Sequence, residues 1–341
     1  MGNHEIAWGR VLNAASAKRI INGIKSFAGL ALSTITRKSI AWGVPPIVTI
    51  EPTVRCNLRC PQCITGMRKV RREQNDLSLD TFKQVIEEIG DRVWYLLLFN
   101  QGEPLLHPDF IEFIRLAKQK RIYVTTSTNG HFFNDENFIT QFIASGIDTV
   151  IISLDGADPE TYASYRQGGD FQCVLVGIKN LVSIRKRLKA TTPRIFMQCL
   201  VTRNNERQLE QMKKLATKLE VDRLLFKTFQ LESKENADTF LPSRPEWRRY
   251  QTNNERITIK NQRHKGCTRL WYSSVILSDG RIVPCCFDKN GKHAIGKIEK
   301  STSLKQIWQS NAYNQFRTQF LKGSKTIGIC HNCTQNQKVY L

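Results

Sequence analysis

Glu51-Pro52-Thr53-Val54-Arg55-Cys56-Asn57-Leu58-Arg59-Cys60-Pro61-Gln62-Cys63 decides how the 341-residue chain is to be read. Three residues separate the first two cysteines, and two separate the second from the third. Thiolates at that spacing can wrap one loop around three corners of a cubic iron–sulfur cluster and leave the fourth iron without a protein ligand. An open iron is a place for chemistry. Zinc knuckles and ferredoxin sites normally take four ligands per centre, so a triad just after a strand-like run argues against a purely structural metal.

Outward from the triad, the chain alternates two kinds of stretch. Strand-like runs are Ile47–Glu51, Trp94–Asn100, Ile122–Ser127, Thr149–Leu154, Arg194–Val201 and Arg223–Phe229. Helical periodicity lies near Leu79–Ile89, Asp109–Lys120, Asp135–Ser145, Phe171–Leu188 and Glu206–Leu219. Six β/α repeats predict an α/β protein with a parallel sheet and outer helices. Polar motifs fall at the predicted carboxyl ends of the strands. They are Asn100-Gln101-Gly102-Glu103-Pro104-Leu105, Ser127-Thr128-Asn129-Gly130, and Ser153-Leu154-Asp155-Gly156 with Tyr165-Arg166 in the next loop. Taken singly, each is ordinary turn chemistry. On the fifth strand Gln198 and Leu200 share a face and Cys199 takes the other. Cys199 and Cys173 read as small buried apolar residues.

A second cysteine set follows the spacing Cys267-x12-Gly280-x4-Cys285, with Cys330-His331-Asn332-Cys333 beyond a helical stretch over Leu304–Phe320. Asp279-Gly280 between alternating apolar residues signals a hairpin. Four thiolates close a cluster and suit electron storage or transfer. All-thiolate zinc is the alternative. Cys286 is a spare that could replace Cys285 or do nothing, and Asp288 is either a base or a turn residue.

In this order the motifs resemble the radical S-adenosylmethionine (SAM) enzymes, and the second cysteine set resembles their SPASM/Twitch auxiliary domains. The resemblance covers residues 47–335. It implies a partial (β/α)6 TIM-like barrel over 45–230, a basic connection over 231–264, and a small domain over 265–341 in which a β-hairpin and helix surround an iron–sulfur cluster. It implies that Cys56, Cys60 and Cys63 hold a [4Fe-4S] cluster whose open iron chelates SAM. Cys267, Cys285, Cys330 and Cys333 would hold an auxiliary [4Fe-4S] cluster. Gln101, Gly102, Glu103 and Pro104 would meet the SAM ammonium, and Ser127 and Asn129 the ribose. Ser153 and Arg166 would hold the carboxylate, an arginine fork fitting it with two parallel bonds; Asp155 stands between them. Gln198, with Leu200 on its face, would look toward the nucleoside. Gln101 stands for the first glycine of the family's GGEP motif, and Gln62 stands where the family usually has an aromatic residue near adenine.

The implied activity is that of an oxidoreductase. One electron breaks the C5′–S bond of SAM, and the 5′-deoxyadenosyl radical takes hydrogen from an unactivated C–H position. A small-molecule or carrier-linked substrate leads. The alternative is a peptide maturase forming thioether or carbon–carbon crosslinks, disfavoured because residues 1–44 are short and poor in strand signals for a peptide-recognition module. An iron–sulfur electron carrier or a zinc-bound nucleic-acid adaptor would have no use for an open-iron triad followed by ligand loops.

Net charge is +21, from 51 Lys and Arg against 30 Asp and Glu. Such a bias suits an acidic electron donor such as a flavodoxin or ferredoxin, or an anionic membrane surface. Nucleic acid is the weaker reading, since no binding motif accompanies the charge. Ten cysteines without an apparent cleavable signal fit a reducing cytoplasm. The cluster Arg244, Arg248, Arg249, Arg256, Lys260, Arg263, Lys265 and Arg269 is either a docking patch for an acidic partner or a solvated face. In the 1–44 segment Ile20, Ile24, Phe27, Ala31 and Ile35 recur at helical spacing among Arg19, Lys25, Arg37 and Lys38. This face is expected to cover the barrel or the accessory domain. A basic amphipathic helix can also lie on a membrane, and this one is too short and too polar to span one.

Overall fold

In the computed structural model, residues 8–235, 237–253, 256–260, 267–331 and 333 are described. The first half of the chain contains α1 (Trp8–Leu12), α2 (Ala17–Thr36), β1 (Ile47–Ile50), α3 (Leu79–Ile89), β2 (Tyr95–Leu97), α4 (Phe110–Gln119) and β3 (Tyr123–Thr128). Then come α5 (Glu136–Ala144), β4 (Thr149–Ser153), α6 (Pro159–Tyr165), α7 (Phe171–Arg187), β5 (Arg194–Val201), α8 (Leu209–Lys218) and β6 (Arg223–Thr228). Beyond lie α9 (Ala237–Phe240), β7 (Tyr250–Asn253), β8 (Arg256–Ile259), α10 (Arg269–Tyr272), β9 (Ser273–Ile276), β10 (Arg281–Val283), β11 (Gly296–Lys297), α11 (Leu304–Trp308) and α12 (Asn311–Lys322).

Strands β1 to β6 pair in chain order and in parallel. Their ends do not meet. β6 is the last strand in the order, while the outer side of β1 takes β9 in parallel and then β10 and β11 antiparallel. A partial barrel therefore continues into the C-terminal hairpin as one nine-stranded sheet. Helix starts follow from capping side chains: Ser78, Asp135, Asp158 and Asp170 each accept backbone N–H bonds at the first turns of α3, α5, α6 and α7. Phe82, Val85, Ile86 and Ile89 recur along α3 and are buried, and every residue of β4 is buried, as expected of a central parallel strand.

Three expectations are corrected. The helical stretch over Leu304–Phe320 is two helices, broken where Ser310 caps α12. The basic cluster does not share one surface: Arg249 is buried and donates to Thr228 Oγ1 at 2.6 Å, Lys260 donates to the Pro245 carbonyl, and Arg269 lies among cysteines, while Arg244 is exposed. Arg263 and Lys265 lie outside the described residues, as does the side chain of Arg256.

The third correction is α2, which is seated the opposite way round. Its buried residues are Arg19, Asn22, Ser26, Gly29 and Ser33, while Ile20, Ile24, Phe27 and Ile35 are 49, 63, 65 and 78% exposed. Backbone groups account for this. The chain entering β1, β2 and β3 leaves carbonyls that need donors. Arg19 donates to those of Ala14, Gly90, Val93 and Lys120, Asn22 bonds both the N–H and the carbonyl of Val44, and Ser33 does the same for Ile40. α2 thus crosses beneath the amino ends of the strands on polar side chains.

Candidate active site

The carboxyl ends of β1 to β4 carry the predicted motifs, and the folded loops converge. The loop after β1 turns tightly, with Cys63 N donating to the Cys60 carbonyl and Met67 N to that of Cys63. Gly66 lets it close: a Cβ there would stand 2.5 Å from both the N and O of Cys60. Gly102, at φ +76°, brings the loop after β2 against the same segment, and Glu103 N donates to the Arg55 carbonyl. Burial pushes the Cys60 thiol up to about 12, with Cys63 and Cys56 among the neighbours that raise it further and Arg166 opposing. Burial likewise raises Cys56.

Arg166 is held by Asp155, whose Oδ2 accepts from its Nε at 2.5 Å while Oδ1 accepts from Leu200 N at 2.6 Å. Its terminal nitrogens have no partner among the described residues. Asp155 therefore aims an arginine fork that sits close enough to Cys60 to stabilise a thiolate. Glu103 is buried, and its oxygens accept from Thr128 Oγ1, Asn129 N and Leu105 N at 2.7, 2.7 and 3.2 Å. Burial raises its carboxyl to about 7. Asn129 continues the contact by donating to Asn57 Oδ1 inside the cysteine loop at 2.7 Å. Pro104 begins a short 3-10 turn. Ser127 and Ser153 lie at the carboxyl ends of β3 and β4, Gln101 N bonds Glu51, and Gln198 pairs beside Ser153 in the sheet. Leu200 packs in the cluster that takes in Cys56 and Cys63.

Several residues here were not singled out from the sequence. Glu51 and Arg72 form an ion pair with both side chains fully buried. Glu51 also accepts from Asn100 Nδ2, Gln101 N and Ser278 N, tying the ends of β1 and β2 to the C-terminal hairpin. Tyr165, Phe229 and Phe240 stack edge-on or offset at 5.6 to 5.9 Å and cluster with Leu58 and the buried Cys60, an apolar wall behind that sulfur. Gln62, in the usual aromatic position, instead clamps the segment after β6, bonding Glu232 N, Ser233 N and the Glu235 carbonyl.

The second cysteine set gathers around Arg269. This guanidinium donates to Cys286 Sγ at 3.2 Å, and Cys286 first, with Cys285, Cys267 and Cys333, raises its pKa. The Cys285 thiol, bonded to Cys286 and buried, is held well up, and the accepting Cys286 sulfur well down. Burial pushes Cys330 up to about 12, with Cys333 and Cys267 adding to it. Cys286, a spare by spacing, is thus drawn into the group by an arginine seventeen positions away. Asp288 is not placed as a base. Its two oxygens accept from Lys292 N and His293 N at 2.8 and 2.7 Å, so it closes a buried turn. Cys199 and Cys173 stand apart from both groups, the first fully buried and the second accepting from Asn134.

Two cysteine groups on one open β/α barrel, the first beside an arginine that Asp155 holds by its Nε with its terminal nitrogens left for a carboxylate, define an iron–sulfur enzyme that binds a small carboxylate-bearing cofactor. Residues 50–193 match the model of the Radical SAM superfamily, and residues 267–334 match SPASM, an iron–sulfur cluster-binding domain. The chain belongs to the radical SAM superfamily and carries a C-terminal SPASM domain. The second match replaces the zinc alternative. Among curated relatives, the tungsten-containing aldehyde ferredoxin oxidoreductase cofactor-modifying protein of Pyrococcus furiosus is 25% identical over 84% of this chain and 86% of its own length. The mycofactocin maturase MftC of Mycobacterium tuberculosis is 30% identical over 51% of this chain and 42% of its own length. Among solved structures, Streptococcus suis SuiB bound to SAM shares the fold over 90% of this chain and 75% of its own, with a TM-score of 0.60 at 16% identity. BtrN in complex with AdoMet and 2-DOIA shares it over 87% and 97%, with a TM-score of 0.52 at 17% identity.

The enzyme's cofactors are SAM, a SAM-binding iron–sulfur cluster and an auxiliary iron–sulfur cluster. The donor sets fit them. Each group is all-thiolate, half-buried or buried, and faced by a guanidinium that offsets thiolate charge. Among the described residues, no three His, Cys, Asp or Glu side chains converge on a single ion.

Proposed function

We propose that the enzyme is a maturase that oxidatively modifies a peptide. The reading is carried by the 30% identity to a mycofactocin maturase across a 174-residue stretch, and SuiB, which shares the fold, has been solved with the precursor peptide SuiA. The strand order supports it, because among the described residues β6 does not pair back to β1 and an extended chain can lie across a barrel left unclosed.

When bound, SAM and the reduced cluster supply a 5′-deoxyadenosyl radical that abstracts hydrogen, and the auxiliary cluster supplies an electron-accepting centre. Cys56, Cys60 and Cys63 would hold the first cluster, and Cys267, Cys285, Cys330 and Cys333 the second, with Cys286 competing for the place of Cys285. Arg166, fixed by Asp155, would receive the SAM carboxylate beside Ser153. Gln101, Gly102 and Pro104 would shape the ammonium contact. Glu103 would brace that loop against Asn129, which with Ser127 would lie along the ribose, and Gln198 would approach the nucleoside. Tyr165, Phe229 and Phe240 would exclude water. Arg269 places a buried cation where an accepted electron would be stabilised, which favours net oxidation. An acidic flavodoxin or ferredoxin would suit the basic surface as reductant.

The test uses anaerobically reconstituted full-length protein with SAM, a reductant and carbon-deuterated peptides encoded beside the gene. Deuterium entering 5′-deoxyadenosine from a peptide carbon, with the peptide losing two hydrogens, is expected. The Cys56→Ala/Cys60→Ala/Cys63→Ala protein should release no 5′-deoxyadenosine and keep about half the iron. Turnover with a small molecule but with no peptide would overturn the peptide reading.

A further inference from the structure

The outward face of α2 has no role in the site, since it lies at the opposite end of the barrel from the cysteine triad. At about 100° per residue, Ile20, Ile21, Ile24, Phe27 and Ile35 fall within one third of the helix circumference. The buried set centred on Asn22, Ser26 and Ser33 falls diametrically across from them. Leu12 and Trp42 are exposed beyond the two ends. Single exposed apolar side chains are ordinary, but a contiguous stripe of this length marks an interaction surface. Nothing among the described residues covers it.

The charges around the stripe select its partner. Between residues 8 and 50 there is no Asp or Glu, whereas Lys18 and Lys25 flank one edge of the stripe and Arg37 and Lys38 follow its end. Beside that edge is a cavity of about 390 Å³ in which Arg92 and Lys305 join Lys18 and Lys25. Asp91 pairs with Lys18 at 2.8 Å and Arg92 at 3.4 Å, leaving an excess of cations. A two-fold self-contact through the stripe would oppose these lysines and arginines to their own copies, a like-charge cost. An anionic lipid surface meets both halves of the pattern.

We propose that α2 docks the enzyme in plane on an anionic bilayer. The stripe enters the headgroup–acyl boundary, Lys18, Lys25, Arg37 and Lys38 lie at headgroup level, and the cation-lined cavity receives a lipid phosphate. No helix among the described residues is long and apolar enough to cross a membrane, so the contact is peripheral. Because α2 lies under the amino ends of the strands, docking leaves the cysteine triad and the mouth of the barrel turned away from the lipid.

The test is sedimentation of the reconstituted full chain with vesicles of phosphatidylglycerol and phosphatidylcholine, against vesicles of phosphatidylcholine alone. The parent should bind the anionic vesicles and be released by salt. Ile24→Ser/Phe27→Ser should weaken binding by at least about tenfold, given what burial of such side chains contributes. Lys18→Glu/Lys25→Glu should also weaken it by about tenfold or more, near fivefold per lysine before the charge reversal is counted. All four side chains are exposed and only Lys18 gives up a surface ion pair, worth about 1 kcal/mol at most, so a thermal midpoint within about 2 °C of the parent and parental iron content separate lost docking from lost fold. A parent that ignores anionic vesicles, or binds neutral ones equally, overturns the proposal. So does a parental dimer without vesicle binding that Ile24→Ser/Phe27→Ser makes monomeric, since the stripe would then be a self-interface.

Discussion

Replacing Arg72 by methionine probes the buried support of the active site. Arg72 gives Glu51 two bonds, at 2.8 and 3.1 Å, with both side chains fully buried. Losing one partner of such a pair costs about 3–5 kcal/mol, because the other charge stays buried without compensation. At about 2 °C per kcal/mol for a chain of this size, the thermal midpoint should fall by about 6–10 °C. A simple ion pair could be replaced by two leucines at little cost. This one cannot, because Glu51 is also the acceptor for Asn100 Nδ2, Gln101 N and Ser278 N. Those three donors would be orphaned at about 1–3 kcal/mol each, so Glu51→Leu/Arg72→Leu should remain about 3–9 kcal/mol below the parent. Urea unfolding of the reduced apo-protein measures both variants. A loss under about 1 kcal/mol in Arg72→Met would refute the buried pair. Parental stability in the double variant would refute the role of Glu51 as the junction of three segments.

Glu103 gives a pH signature. With its carboxyl raised by burial from 4.5 to about 7, the folded state holds a proton that the unfolded chain releases. Its contribution is fully present below pH 4.5 and is lost as pH rises through 7. The apo-protein should lose about 3 kcal/mol from this group over that window, and Glu103→Gln should flatten that part of the urea-midpoint profile; an unchanged slope would refute it. Arg269→Met should lower the midpoint potential of the auxiliary cluster on the order of 100 mV, read by EPR redox titration. The SAM-binding cluster serves as the internal reference, and equal shifts in both would remove Arg269 from this role.

The repeating units of the fold were legible because strand and helix periods alternate so regularly. The predicted helix over Leu79–Ile89 coincides with α3, and six strands lie within a few residues of their expected ends. Both cysteine sets were legible from spacing, which survives without knowledge of the fold. What the sequence hid depends on long-range pairing. Arg72 meets Glu51 across 21 positions, and Ser278 meets it across 227. No local pattern distinguishes Gln62 as a clamp on a segment 170 positions away. The orientation of α2 was hidden for another reason. Periodicity identifies an apolar face but not where it points, and here carbonyls at the ends of the barrel outcompeted the stripe for the inner side. The one advance sign was Arg19-Asn22-Ser26-Ser33, a polar row at helical spacing with side chains able to satisfy backbone groups.

The parallel ladder between β1 and β9 has a consequence for electron movement. Ile47–Ile50 is hydrogen-bonded to Tyr95–Leu97 on one edge and to Ser273–Ile276 on the other. The triad follows β1, and Cys285 of the second group follows β10 in the β9–β10 hairpin. The triad and Cys285 therefore hang from opposite ends of one ladder. Their separation is set by the length of a strand, so a tunnelling distance between them would be inherited from the ladder and would not fluctuate with rigid-body swings of a tethered module. Selection could then adjust the driving force for transfer through Arg269 and its neighbours while leaving the spacing untouched.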